Sequence, residues 1–360
     1  MNNPQKVAVV LFNLGGPDAP EAVKPFLFNL FSDAAIIQVP QPFRWLIAKI
    51  ISSRRAPIAR EIYAQIGGRS PIVPETQRQA EALEQVLSTS DGLDNVKCFL
   101  AMRYWHPFSE AAVEAVLDFA PDKIVLLPLY PQYSTTTTGS SLNAWRKAWA
   151  KRVGPGHTSK KDPETSEICC YPEASGWIEA QADLVRKGFK SAGELNNTRV
   201  LFSAHGLPKK VIERGDPYQT QVERTCAAVA KKLDMPGLDW VTCFQSRVGP
   251  LEWIGPSTDS EIERAGAEGK NIVVVPIAFV SEHSETLVEL DIEYRDLAEK
   301  AGVATYVRVA AVGTHPAFIG TLGDLVREAL VSDEMICPEE AIGGICPGNG
   351  LAENQIVLKS

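Results

Sequence analysis

KIVLLPLYPQYS, residues 123 to 134, and NIVVVPIAFVSE, residues 271 to 282, are the two stretches on which the fold turns. Each begins as a short apolar run without polar alternation, the pattern of a strand buried on both faces. Each then meets a proline and passes into polar residues. Three further runs have the same character: Val7 to Phe12, Val96 to Met102 and Val200 to Phe202. Between the runs lie segments with helical spacing, at Thr76 to Leu87, Ser109 to Phe119, Trp177 to Lys190, Pro217 to Leu233 and Glu285 to Ala298. Strands alternating with helices specify an α/β fold with a parallel sheet covered on both sides.

The halves echo each other a second time, since KVAVVLFNLGGP at residues 6 to 17 resembles TRVLFSAHGLP at residues 198 to 208. Two similar α/β units would account for both pairs. Buried strands also look alike for trivial reasons, so duplication stays open at this level. A chain of 360 residues exceeds the size at which one core keeps growing, which predicts two domains. The expected division is 1–165 and 166–330, followed by a tail, 331–360. The boundary falls near Gly154 to Pro172, a stretch rich in Gly, Pro, Lys and Asp that reads as a surface loop.

With 45% hydrophobic and 22% charged residues, the composition is that of a globular protein. A net charge of -8 excludes nucleic acid as the expected partner, because binding a phosphate backbone draws on clustered Lys and Arg. Seven cysteines, an odd number, argue against a disulfide framework and for a reducing, cytoplasmic setting. The first residues read as a buried strand and not as a secretory signal. No apolar stretch approaches the roughly 18 to 20 residues that cross a bilayer as a helix. Residues 25 to 51 are unusually apolar, with Phe26, Phe28, Phe31, Phe43, Trp45, Leu46 and Ile50 close together and Arg44, Lys49, Arg54 and Arg55 beside them. They fit either a buried helix pair or an apolar lip that touches membrane or a hydrophobic ligand.

In an open α/β sheet the ligand site lies beyond the carboxyl ends of the strands. The runs end in Asn13 with Gly15-Gly16-Pro17, in Arg103-Tyr104, in Tyr130 through Ser141, in Ser203-Ala204-His205-Gly206 and in Ser281-Glu282-His283-Ser284-Glu285. His205 is thereby placed as a proton acceptor or metal ligand, although a histidine at a strand end is often only hydrogen-bonded structure. Glu282, Glu285, Glu289 and Glu293 recur at spacings of three and four, which on an α-helix makes one carboxylate stripe. The stripe is either a solvated acidic face or, at the end of so apolar a strand, a group that moves protons or binds a divalent metal. The run STTTTGSS from Ser134 to Ser141 could hold a carboxylate or simply cap a helix. In the Cys243 to Asp259 loop, Trp253 offers a flat apolar surface to an aromatic ligand, or fills core.

Taken together, LFNLGGP, YAQIGGRSPI at Tyr63 to Ile72, MRYWHP at Met102 to Pro107, LYPQYSTTTTGSS, SAHGLP, FQSRVGPLEWIGPSTD and FVSEHSETLVELDIEY resemble, in order and over nearly the whole chain, the ferrochelatase family. The resemblance implies two Rossmann-like lobes with parallel sheets, the chelatase fold, with a porphyrin cleft between them. It implies insertion of Fe(II), a substrate, into protoporphyrin IX. His205 and Glu285 would be catalytic. Glu289 and Glu282 would join them in handling metal, and Arg103, Tyr130, Ser134, Trp253, Phe279 and His283 would lie at porphyrin positions. Relatives that use coproporphyrin or another tetrapyrrole are the enzymatic alternative, and a haem or porphyrin carrier is the non-enzymatic one. The resemblance and the apolar lip together imply a cytoplasmic protein that sits peripherally on the inner membrane, with oligomeric state left open. Two departures bear on the family pattern. Gln65 stands where some members carry Arg near the Gly-Gly turn. Some members also hold a 2Fe-2S cluster on one loop cysteine and three tail cysteines. Here the loop position is Thr135 and the tail has Cys337 and Cys346, so Cys169 or Cys170 would have to complete the set. The expectation is against a cluster.

Overall fold

The computed structural model describes residues 5–89, 93, 95–154, 163–192, 197–247, 249, 251–332 and 335–337. They form two compact units, one running to Cys170 and taking in Leu322–Cys337, the other spanning Tyr171–Thr321.

The first unit contains β1 (Lys6–Asn13), α1 (Val23–Ser32), α2 (Phe43–Ala64), α3 (Ile72–Ser88), β2 (Asn95–Met102), α4 (Ser109–Phe119), β3 (Lys123–Pro128), α5 (Thr138–Val153) and β4 (Glu164–Glu167). Its strands are parallel in the order β2-β1-β3-β4. The second unit contains α6 (Ser175–Ala192), β5 (Thr198–His205), α7 (Lys209–Glu213), α8 (Tyr218–Leu233), β6 (Asp239–Gln245), α9 (Thr258–Ala267), β7 (Asn271–Pro276), a π-helical segment (Glu285–Glu293), α10 (Tyr294–Lys300) and β8 (Tyr306–Arg308). These strands are again parallel, in the order β6-β5-β7-β8. The residues of α11 (Pro316–Val331) are divided between the units.

The echo in the sequence is thus a repeated topology. The register repeats as well: Phe12 pairs with Pro128 in the first sheet and Ser203 with Pro276 in the second. The residue after each proline then donates its N–H across the sheet, Leu129 to the Phe12 carbonyl at 2.8 Å and Ile277 to that of Ser203 at 3.0 Å. By this register Leu14 holds, in the first unit, the place of His205 in the second.

The central strands are buried on both faces, as continuous apolar runs require. Val7 through Phe12, Val200 through Phe202 and Ile272 through Val275 are fully inaccessible to solvent. Around the first sheet pack Val113 and Val116 from α4 with Leu142 and Trp145 from α5, and around the second Ile262 and Ala265 from α9 with Ala298 from α10. Each buried valine, leucine or isoleucine contributes about 1.5 to 3 kcal/mol relative to exposure.

Two sequence expectations need correction, and two strands went unread. The stretch read as a surface loop around Gly154 to Pro172 contains β4, whose polar sequence ETSE lies at the sheet edge. The strands β6 and β8 carry no uninterrupted apolar run that would mark them. The segment after Ser284 is π-helical from Glu285 to Glu293 and becomes α-helical only at Tyr294. Residues 25 to 51 do form a helix pair, but the pair is not simply buried: Phe43, Trp45, Leu46 and Ile50 stay between 43% and 65% exposed on α2. Among the described residues no helix is long and apolar enough to cross a membrane.

Candidate active site

In the second unit the site is built where β5 stops. The backbone of β5 ends at His205, and the next turn requires Gly206. A Cβ there would lie 2.9 Å from the Gln245 carbonyl oxygen and 3.3 Å from Cε3 of Trp253. The indole of Trp253 therefore lies against the backbone immediately after His205, in a loop tied down by Ile254 N–H donating to Leu207 O at 3.0 Å. Trp253 is half-buried, and among the described residues its Nε1 has no hydrogen-bond partner.

Nδ1 of His205 lies 2.9 Å from Oε2 of Glu285, the first residue of the π segment. The side chains are 38% and 27% exposed, so the pair is open to solvent on one side. Burial alone would depress the imidazole's pKa, but the Glu285 charge and hydrogen bond, with help from Glu289, outweigh it and raise it above 6.5. For Glu285 burial pushes upward, yet His205 and His283 hold the carboxyl well below its ordinary range. Such a pair fixes the tautomer: the proton sits on Nδ1, facing the carboxylate, and the other ring nitrogen keeps its lone pair.

Glu289, one turn further on, is held by four donors. Ser246 N–H reaches Oε1 at 2.8 Å, Ser246 Oγ reaches Oε2 at 2.5 Å, Gln245 Nε2 reaches Oε2 at 3.3 Å and Tyr294 OH reaches Oε1 at 3.1 Å. Ser246 aims its N–H this way from a left-handed backbone, φ 63°, a conformation that costs a non-glycine residue energy and clusters at functional sites. Burial and the neighbouring Glu285 charge raise the pKa of Glu289. Two carboxylates on one short segment are thus driven apart, Glu285 toward permanent ionisation and Glu289 toward holding a proton.

His283 is buried, with its ring 4.8 Å from that of Phe279, its Nδ1 3.2 Å from Ser281 O and its Nε2 3.7 Å from Glu285. Glu282 does not join Glu285 and Glu289. Its oxygens accept from Arg308 Nη1 at 2.8 Å, Ala311 N–H at 2.9 Å and Thr286 OH at 2.5 Å. Glu293, the last member of the expected stripe, is exposed.

In the first unit the corresponding strand ends carry a second polar group. Arg103 donates from Nη2 to Oδ2 of Asp33 at 2.7 Å and from Nε to Ser140 Oγ at 2.6 Å. The same Asp33 oxygen accepts from Tyr104 OH at 2.8 Å and from Ser140 Oγ. Tyr130 OH lies 3.4 Å from Ser141 Oγ, and Ser134, fully buried, shapes the loop before α5 through Thr136, 2.8 Å between hydroxyls and 3.1 Å from its N–H. Elsewhere in this unit the Sγ atoms of Cys169, Cys170 and Cys337 lie within 4.8 Å of one another. Cys346 lies outside the described residues.

Residue-by-residue reading missed Asp33 and Ser140 as partners of Arg103, Gln245 and Ser246 as partners of Glu289, and Arg308. For Gln245 and Ser246 a signal existed, since Gln245 ends β6 and Ser246 follows it; the strand itself went unmarked.

The repeated four-stranded parallel sheet, with an imidazole and carboxylates beyond one strand end of the second unit, defines a two-unit α/β fold. Among solved structures it is similar to SirB from Bacillus subtilis with Fe3+, at TM-score 0.51 and 15% identity, covering 91% of this chain and 96% of that one. It is likewise similar to the sirohydrochlorin chelatase SirB from Bacillus subtilis subspecies spizizenii in complex with cobalt, at TM-score 0.50 and 14% identity, covering 90% and 95%. The sequence goes further than the fold. Residues 6–330 match the family described as Ferrochelatase. Ferrochelatases of Caulobacter vibrioides and Hyphomonas neptunium are 56% and 49% identical, covering 91% and 99% of this chain and 91% and 96% of theirs. The chain belongs to the ferrochelatase family.

Proposed function

We propose that this chain catalyses the ferrochelatase reaction, inserting Fe(II) into protoporphyrin IX with release of two protons. The observation that carries the reading is the His205–Glu285 pair beyond β5, with Glu289 beside it, in a chain of this family. The macrocycle must lose two N–H protons as Fe(II) enters. His205, its tautomer set by Glu285, offers a ring nitrogen to accept them. Glu289 is the adjacent group able to take one onward. One imidazole and two carboxylates also suit a ferrous ion on its way to the ring. Trp253, Phe279 and His283 of the second unit offer ring surfaces for the porphyrin, whereas Ser134 is fully buried and has no surface to offer.

Anaerobic mixing with Fe(II) and protoporphyrin, followed by loss of porphyrin fluorescence and growth of the haem spectrum, tests this. His205→Ala is expected to lower turnover by at least about 100-fold and to leave porphyrin binding intact. Unchanged turnover in that variant overturns the assignment, and porphyrin binding without turnover in the parent chain makes it a carrier.

We also propose that Cys169, Cys170 and Cys337 hold an iron–sulfur cluster, with Cys346 as the remaining tail thiol. An all-sulfur donor set of this closeness supports it. Backbone pairing brings the tail there: Cys169 N–H donates to Ile336 O at 2.9 Å, and Ile336 N–H to Glu167 O at 2.9 Å. A cluster would supply a cross-link between tail and sheet. Iron and acid-labile sulfide in the purified protein, lost in Cys337→Ser, would support it, and a colourless, sulfide-free protein would exclude it.

The exposed apolar face of α2, flanked by Arg44, Lys49, Arg54 and Arg55, supports peripheral attachment to the cytoplasmic face of an anionic membrane. Flotation with anionic vesicles is expected, and failure to float counts against it.

A further inference from the structure

A π-helix nine residues long is unusual, because such winding normally persists for a single turn inside an α-helix. Something outside the segment must hold it. Arg308, on the short strand β8, reaches both of its ends. Nη1 pairs with Glu282 at 2.8 Å, three residues before the first π residue, and Nε lies 3.2 Å from Oδ2 of Asp291, near the last. Its side chain is only 12% exposed. The contacts around it point the same way. Glu282 also takes the hydroxyl of Thr286, whose Oγ1 in turn accepts His283 N–H at 3.0 Å. Tyr306, two residues before Arg308, donates its OH to Leu290 O at 2.6 Å, and Arg295 ties Asp291 to Tyr306 O at 2.6 and 2.9 Å.

We propose that Glu282, Arg308 and Asp291 form a brace that keeps the π segment wound so that Glu285 meets His205 while Glu289 meets Ser246. Glu282 is then a positioning residue and not a metal ligand. The inference rests on the chelatase reading of His205 and Glu285 and deepens it. The shape of a guanidinium is needed: Nη1 hydrogen-bonds Glu282 and Val309 O while Nε, without a hydrogen bond among the described residues, faces Asp291 at ion-pair distance, whereas an ammonium on a flexible stem is a single point of charge. A brace and a ligand also predict opposite responses when Arg308 is weakened. Loosening a brace misplaces Glu285 and Glu289. Releasing a ligand would free the Glu282 carboxylate for metal.

The test compares the parent chain with Arg308→Lys, Glu282→Gln and the double variant in anaerobic Fe(II) insertion, with porphyrin affinity from fluorescence quenching and melting curves alongside. Each single substitution is expected to lower kcat/KM for Fe(II) by about tenfold, the scale of a sub-ångström misplacement. Porphyrin Kd should stay within about twofold, and the double variant should fall no further than the worse single, because the partners act as one unit. Parent-like or higher kcat/KM in Arg308→Lys, with a fall only in Glu282→Gln, overturns the brace and makes Glu282 a ligand. Additive losses also overturn it. Should Arg308→Lys fail to fold, Asp291→Asn removes one arm alone: a several-fold fall supports the brace, and parent-like kinetics overturn it. His205→Ala is run in parallel, since turnover surviving there sinks the underlying reading instead.

Discussion

Replacing Asp33 by alanine should be among the most costly single changes in the first unit. One oxygen of Asp33 accepts from Arg103 at 2.7 Å, from Tyr104 at 2.8 Å and from Ser140, while Ala35 N–H donates to the other oxygen at 2.9 Å. Its side chain is 7% exposed, against 23% for Arg103. Removing one member of a buried ion pair costs about 3 to 5 kcal/mol, since the remaining charge stays desolvated. Water reaches Arg103 and favours the lower end of that range, whereas Tyr104, fully buried, adds an orphaned hydroxyl worth about 1 kcal/mol or more. About 4 kcal/mol is therefore expected, measured as the difference in urea unfolding between Asp33→Ala and the parent chain. Asp33→Asn, which keeps shape and acceptor, should lose markedly less. Burial works to raise the Asp33 pKa, but the Arg103 charge and the hydrogen bonds outweigh it, so the carboxyl titrates below 3.8. A depressed folded pKa gives stability that is fully present above the unfolded value. The gap between variant and parent should thus be constant from neutral pH to about 4 and close in stronger acid. An Asp33→Ala protein within about 1 kcal/mol of the parent at pH 7 would refute the reasoning.

Other outcomes concern the second unit. In Glu285→Gln the anion that raises the His205 pKa is gone and burial still depresses it, so the acid limb of the pH–rate profile should move to lower pH while maximal turnover falls; a limb that stays put would separate His205 from that limb. The same pair also bears on stability. The His205 contribution is present in full below about 6.5 and is lost as pH rises through the raised folded value, so Glu285→Gln should cost least in alkaline solution, read from melting curves across pH. Gly206→Ala drives a Cβ to 2.9 Å from Gln245 O, a backbone atom that must yield by a few tenths of an ångström. A loss of about 1 to 3 kcal/mol is expected, with a turnover decrease of up to about tenfold; a parent-like melting point and rate would show that the Gln245 backbone yields freely and that the turn does not require glycine.

Much of this was written in the chain. Continuous apolar runs gave the central strands, and the residues just beyond the ends of those runs include His205, Arg103 and the Glu285 region. What escaped was non-local or short-range ambiguous. The sequence of β6, DWVTCFQ, mixes polar with apolar residues, and β8 has only three residues, too few to carry a pattern. Spacings of three and four fit an α-helix, so nothing nearby announced that Glu285–Glu293 would wind as π; the groups around its ends, Arg308 and Tyr306, lie 13 or more residues further along. Glu282 looked like a stripe member by spacing, yet its carboxylate belongs to an arginine 26 positions away. Asp33 and Arg103, 70 positions apart, meet only because α1 returns to the end of β2.

The shared register of the two sheets has a consequence for how such a site can arise. Were the protein an assembly of two identical halves, any residue placed beyond one central strand would be placed beyond both, because symmetry repeats every side chain. A single chain containing both halves is free of that rule. It holds Leu14 at one strand end and His205 at the other, beyond central strand pairs that share one register. The asymmetry a base needs, an imidazole beyond one central strand and an aliphatic side chain beyond the other, is met by a difference at a single position of a repeated frame.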